Sequence, residues 1–425
     1  MAADPKQDLW RFIRLDQYTR PPEPAQEKVR RGIFGLWDRL GWGEKSRPVS
    51  RELDLSQAPR ELLDEVVPVP DWSEGIAAVT ASLDDWLDAT QPETPVQVFV
   101  GPSYSGTAQI LAQWAEARGW DLLAPPEPEQ ILAGGKEWLA QVDDGSGAPL
   151  VLTHLEHCYL RHYDGLTMLR RLLEIILSHR RRWIVGCDSW AWAYFRQVFK
   201  VDAMLRSPWI LAPFGQERLQ VWLPEVIEGA PTPGFVFRQS DNGKFILPLA
   251  SGGETELPDQ DQPEPTASPN LSKFLKYLAA YSRGIPGIAW AVWRHSLYVA
   301  MLQEAEEKEA EKRAEEGGEP PAVPGVDKTI WVKPWHQIAR PTVPSLPERA
   351  QLLMVLHALM LHGGLKERLF PKVLPMAPME IIEYLYLLQN AGLVKSEQGF
   401  WRVTPEGYPA VRQELQSEGY LTDAI

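Results

Sequence analysis

The chain has 425 residues, 44% of them hydrophobic and 24% charged, which is globular composition and enough length for two or three domains with their own cores. Its net charge is −14, but residues 252–269 and 302–323 each carry −5, so the rest of the chain is near neutral at −4 and lacks the basic surplus of a protein that coats phosphate backbones. Two cysteines, Cys158 and Cys187, are too few for a disulfide scaffold or a zinc module, no run of 18 apolar residues offers a membrane span, and the first residues lack the apolar run of a secretory signal. A reduced, cytoplasmic protein is expected.

Residues 1–27, polar and proline-containing, are expected to form an extended arm. Between 29 and 42 the pattern changes. Ile33, Leu36, Trp37 and Leu40 share one helical face, Arg30, Arg31 and Arg39 surround it, and Gly41 and Gly43 end it. This amphipathic helix is expected to pack on the body. A partner groove is one alternative, and peripheral membrane contact from Ile33 to Trp42 is the other. Residues 50–70 read as irregular, and a helix is predicted over 76–87. Strands over 96–100, 120–123, 149–155, 183–187 and 209–211 then alternate with helices over 108–118, 166–179 and 191–199. That alternation predicts a parallel sheet covered on both faces. Residues 229–269, rich in Pro, Gly, Asp and Ser, read as a long, partly disordered acidic insertion. Residues 271–299 read as a helical pair hinged at 284–286, and the Glu-rich run 302–317 as a solvated segment. A strand over 329–333 is followed by helices over 349–362, 366–373 and 377–391, short strands at 394–395 and 401–404, and a last helix over 408–417. Three helices and a hairpin are the makings of a winged helix. The predicted fold is therefore α/β, with an arm (1–65), a parallel-sheet domain (66–228), the insertion (229–269), a helical lid (270–328) and a winged helix (329–425).

The most informative local feature is the strand Val96-Gln-Val-Phe-Val100 followed by Gly101-Pro102-Ser103-Tyr104-Ser105-Gly106-Thr107-Ala108. A strand, two glycines five residues apart and a helix are the frame of a phosphate-binding loop. In the working loop a lysine reaches the β- and γ-phosphates and the hydroxyl after it holds Mg²⁺. Here Thr107 and Ala108 stand at those places. A second motif would be an apolar strand ending in Asp, for the Mg²⁺ shell, and Glu, for the attacking water. The segment Leu150-Val-Leu-Thr-His-Leu155-Glu156 puts Leu155 at the first and Glu156 at the second. Without the lysine and the metal, little is left to neutralise charge on a transferring phosphoryl group.

The order of these elements resembles the AAA+ and STAND group of P-loop ATPases. Trp183-Ile-Val-Gly-Cys187-Asp188-Ser189 resembles the strand that ends in the polar sensor residue, and Trp209-Ile-Leu-Ala-Pro213-Phe214 the last strand with its proline turn. Ser282-Arg283-Gly284-Ile-Pro286 is similar to the Gly-x-Pro motif of the helical lid. A winged helix after such a lid is common in that group, which includes origin-recognition initiators and signalling STAND proteins. The resemblance implies that any nucleotide would lie against Gly101, Ser103, Ser105, Gly106, Thr107, Ala108, Asp188, Arg283, Gly284 and Pro286, with Glu156 as the residual catalytic candidate. It also implies that an arginine from the cluster Arg170, Arg171 and Arg180 to Arg182 could act on a neighbouring subunit in an oligomer. A solvated helix end is the simpler reading of that cluster, since cations suit helix C-termini.

Other candidates read more simply. His154, His157, Cys158 and His162 lack the His-Glu-x-x-His spacing of a helical metal site, so no metal is expected. Cys187 reads as a core cysteine. The third winged-helix helix carries Glu380 and Glu383 and no Lys or Arg, so nucleic acid is not expected as a partner and a protein partner is. The expected function is a catalytically impaired regulatory or scaffolding module, with ATP or ADP bound weakly if at all. The alternatives are an ATP-binding switch with weak or partner-dependent hydrolysis and a DNA-binding regulator.

Overall fold

Thirteen short strands organise the computed structural model, which describes residues 9–23, 55–248 (apart from 91, 144, 146, 179–180 and 231–233), 271–300 and 329–425. They are β1 (Phe12–Arg14), β2 (Leu55–Gln57), β3 (Val96–Gly101), β4 (Asp121–Leu122), β5 (Leu150–Leu152), β6 (Trp183–Asp188), β7 (Trp209–Leu211), β8 (Val236–Gln239), β9 (Leu297–Ala300), β10 (Thr329–Val332), β11 (Leu365–Lys366), β12 (Val394–Glu397) and β13 (Phe400–Val403). The amphipathic stretch 29–42 and both acidic runs lie outside the described residues.

The central sheet has the order β1-β7-β3-β6-β5-β4. The five strands from β7 to β4 run parallel, and β1 closes the β7 edge antiparallel. Every residue of β3 and β6 is buried, as expected of strands with helices on both faces. The chain leaves β3 for the far edge at β4 and works back through β5 to β6, which lies beside β3. The loops that follow β3, β5 and β6 therefore open at one edge, where the strand order reverses and α/β sheets bind ligands. This parallel α/β layer, the lid and the winged helix give the chain its fold class. The helix Gly75–Asp88 packs on Thr107–Arg118. Gly75 makes the close approach feasible, since a Cβ there would stand 2.6 Å from Ile110 Cδ1. Among the described residues, Trp114, Trp183, Trp190 and Trp293 are almost wholly buried and fill this core and that of the lid.

Three expectations need correction. Residues 9–23 are not a free arm: Leu9, Trp10 and Phe12 are buried, and β1 pairs with β7. Residues 50–70 are not irregular throughout, since they hold β2 and the helix Arg60–Val66. The lid is not purely helical. Behind its helices Phe274–Tyr281 and Pro286–His295 lies a second sheet, β2-β9-β10-β8. Its strand β8 comes from the span read as a disordered insertion. β10 was expected at 329–333, but β2, β8 and β9 are three or four residues long, too short for alternation to show, and their partners lie far off in sequence.

The winged helix comprises the helices Arg349–His362, Phe370–Val373 and Pro378–Asn390, the sheet β11-β13-β12 and the closing helix Tyr408–Ser417. The first half of the predicted helix 366–373 is the end of β11 and a 3₁₀ turn, Glu367–Leu369; its second half, Phe370–Val373, is α.

Candidate functional site

At the end of β3 the loop turns sharply. Ser105 donates its N–H to the Pro102 carbonyl at 3.0 Å, and the helix Thr107–Arg118 starts with the Ile110 N–H on the Gly106 carbonyl. Tyr104 and Gly106 sit at φ +71° and +78°, in the left-handed region. Gly106 cannot be replaced freely, because a Cβ would fall 2.3 Å from the Trp72 ring. Trp72, Trp10, Phe214 and Trp222 form an aromatic cluster beneath the loop, with ring centroids 5.3–6.4 Å apart.

Inside the loop the hydroxyls satisfy one another. Ser105 Oγ lies 2.9 Å from Thr107 Oγ1 and accepts the Thr107 N–H at 3.4 Å. In a phosphate cradle, that amide and a lysine would face the anion. Thr107 is buried, and Leu155, the residue aligned with the metal-side carboxylate, is 1% exposed in the core. β5 stops at Leu152, so Leu155 and Glu156 stand on a 3₁₀ turn, Leu155–Cys158, and not on the strand over 149–155 predicted to reach Leu155.

Two buried carboxyls face the loop. Glu156 Oε2 accepts the Asp188 N–H at 2.9 Å, and Glu156 Oε1 is 2.7 Å from His154 Nδ1. Asp188 caps the helix Ser189–Val198 by accepting the Trp190 N–H at 2.8 Å, and its other oxygen accepts from Ser103 Oγ at 2.8 Å. Burial and the Glu156 charge push Asp188 up to about 8, well above the usual carboxylate range. Burial also pushes Glu156 upward, but the His154 hydrogen bond, the nearby His157 and His154 and the Asp188 amide outweigh it and hold Glu156 below the usual range.

Gly101, Ser103, Ser105, Gly106, Thr107, Ala108, Glu156 and Asp188 thus line one cavity of about 380 Å³. Arg283, Gly284 and Pro286 do not line it. The Arg283 guanidinium bonds the Ile425 carbonyl, and the Arg283 carbonyl accepts from Tyr18 Oη. The Gly284 carbonyl accepts the Phe214 N–H. The lid reaches the loop through Gly287, whose N–H donates to the Tyr104 carbonyl at 3.0 Å. Of the arginine cluster, Arg182 holds the carbonyls of Trp86, Leu87 and Ala89 at the C-terminus of Gly75–Asp88, a different helix from the one the cluster follows, and Arg181 is buried rather than solvated; Arg180 lies outside the described residues. Both cysteines are buried, and burial pushes the Cys187 thiol up.

The far wall of the cavity was not legible in the sequence. It comes from the winged helix: Leu359, Met360, Gly363, Phe400, Arg402, Val403 and Tyr408. Tyr104 Oη donates to the Val403 carbonyl, Trp190 Nε1 to Tyr408 Oη at 2.9 Å, Tyr159 Oη to the Leu361 carbonyl at 2.8 Å and Ser189 Oγ to Asp423 at 2.6 Å. Arg402 brings a guanidinium to the cavity, paired with Glu397 at 2.9 Å. No periodicity or motif marks these residues, because their role arises from packing between segments 202 to 299 residues apart.

No protein-family model matches the chain, and no curated protein does. Solved structures that resemble it include the Cdc6 protein of Pyrobaculum aerophilum, at 11% identity over 84% of this chain and 99% of that one, with a TM-score of 0.33. The Walker-type ATPase of Pyrococcus abyssi stands at 12% identity, 84% and 98% coverage and a TM-score of 0.32. The ORC1 protein of Aeropyrum pernix, solved in complex with DNA, stands at 15%, 84% and 96%, with 0.35. Superpositions this loose carry little weight; the fold class rests on the chain's own strand order and on the strand–loop–helix at 96–118. Among the described residues, no helix is long and apolar enough to cross a membrane.

Proposed function

We propose that the chain is a P-loop-type protein that does not hydrolyse nucleotide and serves as a regulatory or scaffolding module, making its contacts through the lid and the winged helix. One observation carries this reading. The cavity at the phosphate loop is lined by the carboxyls of Glu156 and Asp188 and by loop hydroxyls closed on each other, with no cation from the loop and no carboxylate at position 155. A single well-placed cation is worth about 10³–10⁵ in rate in phosphoryl transfer. Losing the loop lysine and both metal-side groups leaves the γ-phosphate without its electrophilic support. The winged helix supports a protein-facing role. Its helix Pro378–Asn390 exposes Met379 and Tyr386 near Glu380 and Glu383, an apolar and acidic surface that suits a protein better than a phosphate backbone.

A second reading is an ATP-binding switch, favoured by Arg402, which brings a cation from the winged helix to the cavity wall. One experiment separates the two. The full chain is melted with ATP or ADP, with and without Mg²⁺, and assayed for phosphate release. The scaffold reading expects no nucleotide-dependent shift and no release above background. The switch reading expects stability to rise with the logarithm of nucleotide concentration. Mg²⁺-dependent phosphate release abolished by Glu156→Gln would overturn the scaffold reading.

A further inference from the structure

The segment His154-Leu-Glu156-His157 lacks the four-residue spacing of helical metal sites, but it does not form an α-helix. It forms the start of a 3₁₀ turn, closed by the His157 N–H on the His154 carbonyl at 3.1 Å. With three residues per turn, positions i and i+3 eclipse. The turn therefore brings His154 and His157 to one face, with their rings stacked at 4.8 Å between centroids and 19° between planes. Glu156, on the same turn, completes a group whose donor atoms all lie within 4.8 Å of one another.

We infer that His154, Glu156 and His157 form a binding site for one zinc-class divalent cation at the floor of the phosphate-loop cavity. Three observations carry it. The donor set, two imidazoles and one carboxylate, is the set that zinc takes with one position left open. A tetrahedral ion with bonds of about 2.0–2.1 Å spaces its donors about 3.4 Å apart. That value falls between the 2.7 Å separating His154 Nδ1 from Glu156 Oε1 and the 4.8 Å limit of the group, so rotamer adjustments suffice. The half-buried His157 imidazole lines the cavity and spends neither ring nitrogen on a protein hydrogen bond, so both are open to an incoming ion. On the open side stands Gly363, the left-handed C-cap of Arg349–His362 at φ +62°, where a Cβ would lie in ordinary contact 4.0 Å from His157 Nε2. The Asp188 N–H on Glu156 Oε2 anchors the carboxylate from behind, the outer-shell support that metal ligands usually have. Mg²⁺ is not the ion implied, because it takes oxygen ligands and leaves imidazoles aside.

Zinc takes imidazole only in its neutral form, so affinity should fall as pH is lowered. The inference stands apart from the proposed function, because it is read without nucleotide. The chelator-stripped full chain is titrated with Zn²⁺ by calorimetry, and with Co²⁺ by visible absorption. The expected result is one ion per chain, a Co²⁺ ligand-field spectrum, no heat with Mg²⁺ and a weaker Zn²⁺ affinity at pH 6 than at pH 8. His157→Ala and His154→Ala should each weaken Zn²⁺ at least tenfold, and the exposed His336→Ala should leave it unchanged. Melting without metal checks that each variant folds. His154 is 40% exposed, so its variant keeps the test decisive if His157→Ala misfolds. No stoichiometric binding to the wild-type chain, or Zn²⁺ affinity undiminished in both histidine variants, would overturn the inference.

Discussion

Asp423 offers the sharpest test of how the winged helix is held against the sheet domain. Its carboxylate pairs with Arg412 at 2.9 Å, with side chains only 5% (Arg412) and 1% (Asp423) exposed, and its carbonyl takes a second Arg412 hydrogen bond at 3.0 Å. The other carboxylate oxygen accepts from Ser189 Oγ of the sheet domain at 2.6 Å and lies 3.4 Å from Tyr408 Oη. Asp423→Ala leaves a buried guanidinium held by Gln416 and a backbone carbonyl alone. Stranding one member of a buried ion pair costs about 3–5 kcal/mol. Removing both charges is different. Arg412→Met with Asp423→Leu escapes the desolvation of both ions and should lose only about 1 kcal/mol, the share of the Ser189 hydrogen bond. The assay is urea unfolding followed by near-ultraviolet circular dichroism, which reports Trp190 beside Tyr408. The reasoning fails if Asp423→Ala costs under about 1 kcal/mol, or if the double variant costs as much as the two single variants together.

Three further outcomes are expected. Thr107→Lys with Ala108→Thr should break the Ser105–Thr107 contact and raise ATP affinity measurably by thermal shift, with turnover still at background because Leu155 denies Mg²⁺ its carboxylate. Gly106→Ala must displace Trp72 from a left-handed position and should cost about 1–3 kcal/mol, read as a lower melting temperature with a shifted tryptophan emission. Stability should also fall in mild acid. Burial, followed for His362 by the nearby Arg161 charge, lowers His357 to about 4 and His362 to about 3. His357 Nε2 donates to the Leu421 carbonyl and its Nδ1 faces Arg161, while His362 Nε2 accepts the Arg161 N–H, so both rings are built in as neutral. The unfolded chain protonates them near 6.5, so their contribution is complete above that pH and is lost as pH falls through 6 toward 4. With two sites the loss is roughly 2–3 kcal/mol per pH unit in that window. His357→Gln should flatten the slope of urea stability against pH; an unchanged slope would contradict this assignment.

Much of the architecture was written in local pattern. The runs at β3, β5 and β6 are β-branched, apolar and followed by helical periodicity, so a buried parallel sheet was the one arrangement that satisfied them. The glycine spacing of 101–106 and the absence of a lysine at Thr107 are likewise properties of the chain alone. The strands β1, β2 and β8 were not legible, because three or four residues hold no period and what makes them strands is a partner elsewhere. The wall of the cavity was hidden for the same reason: Arg402, Tyr408 and Gly363 meet Glu156 and Asp188 only when the winged helix docks on the sheet edge. The histidine pair marks the boundary between the two kinds of information. His154 and His157 are three apart in the sequence, a spacing without meaning until the backbone is known. Tertiary packing ended β5 at Leu152 and wound the next residues into a 3₁₀ turn, and that choice of helix pitch put the two imidazoles on one face.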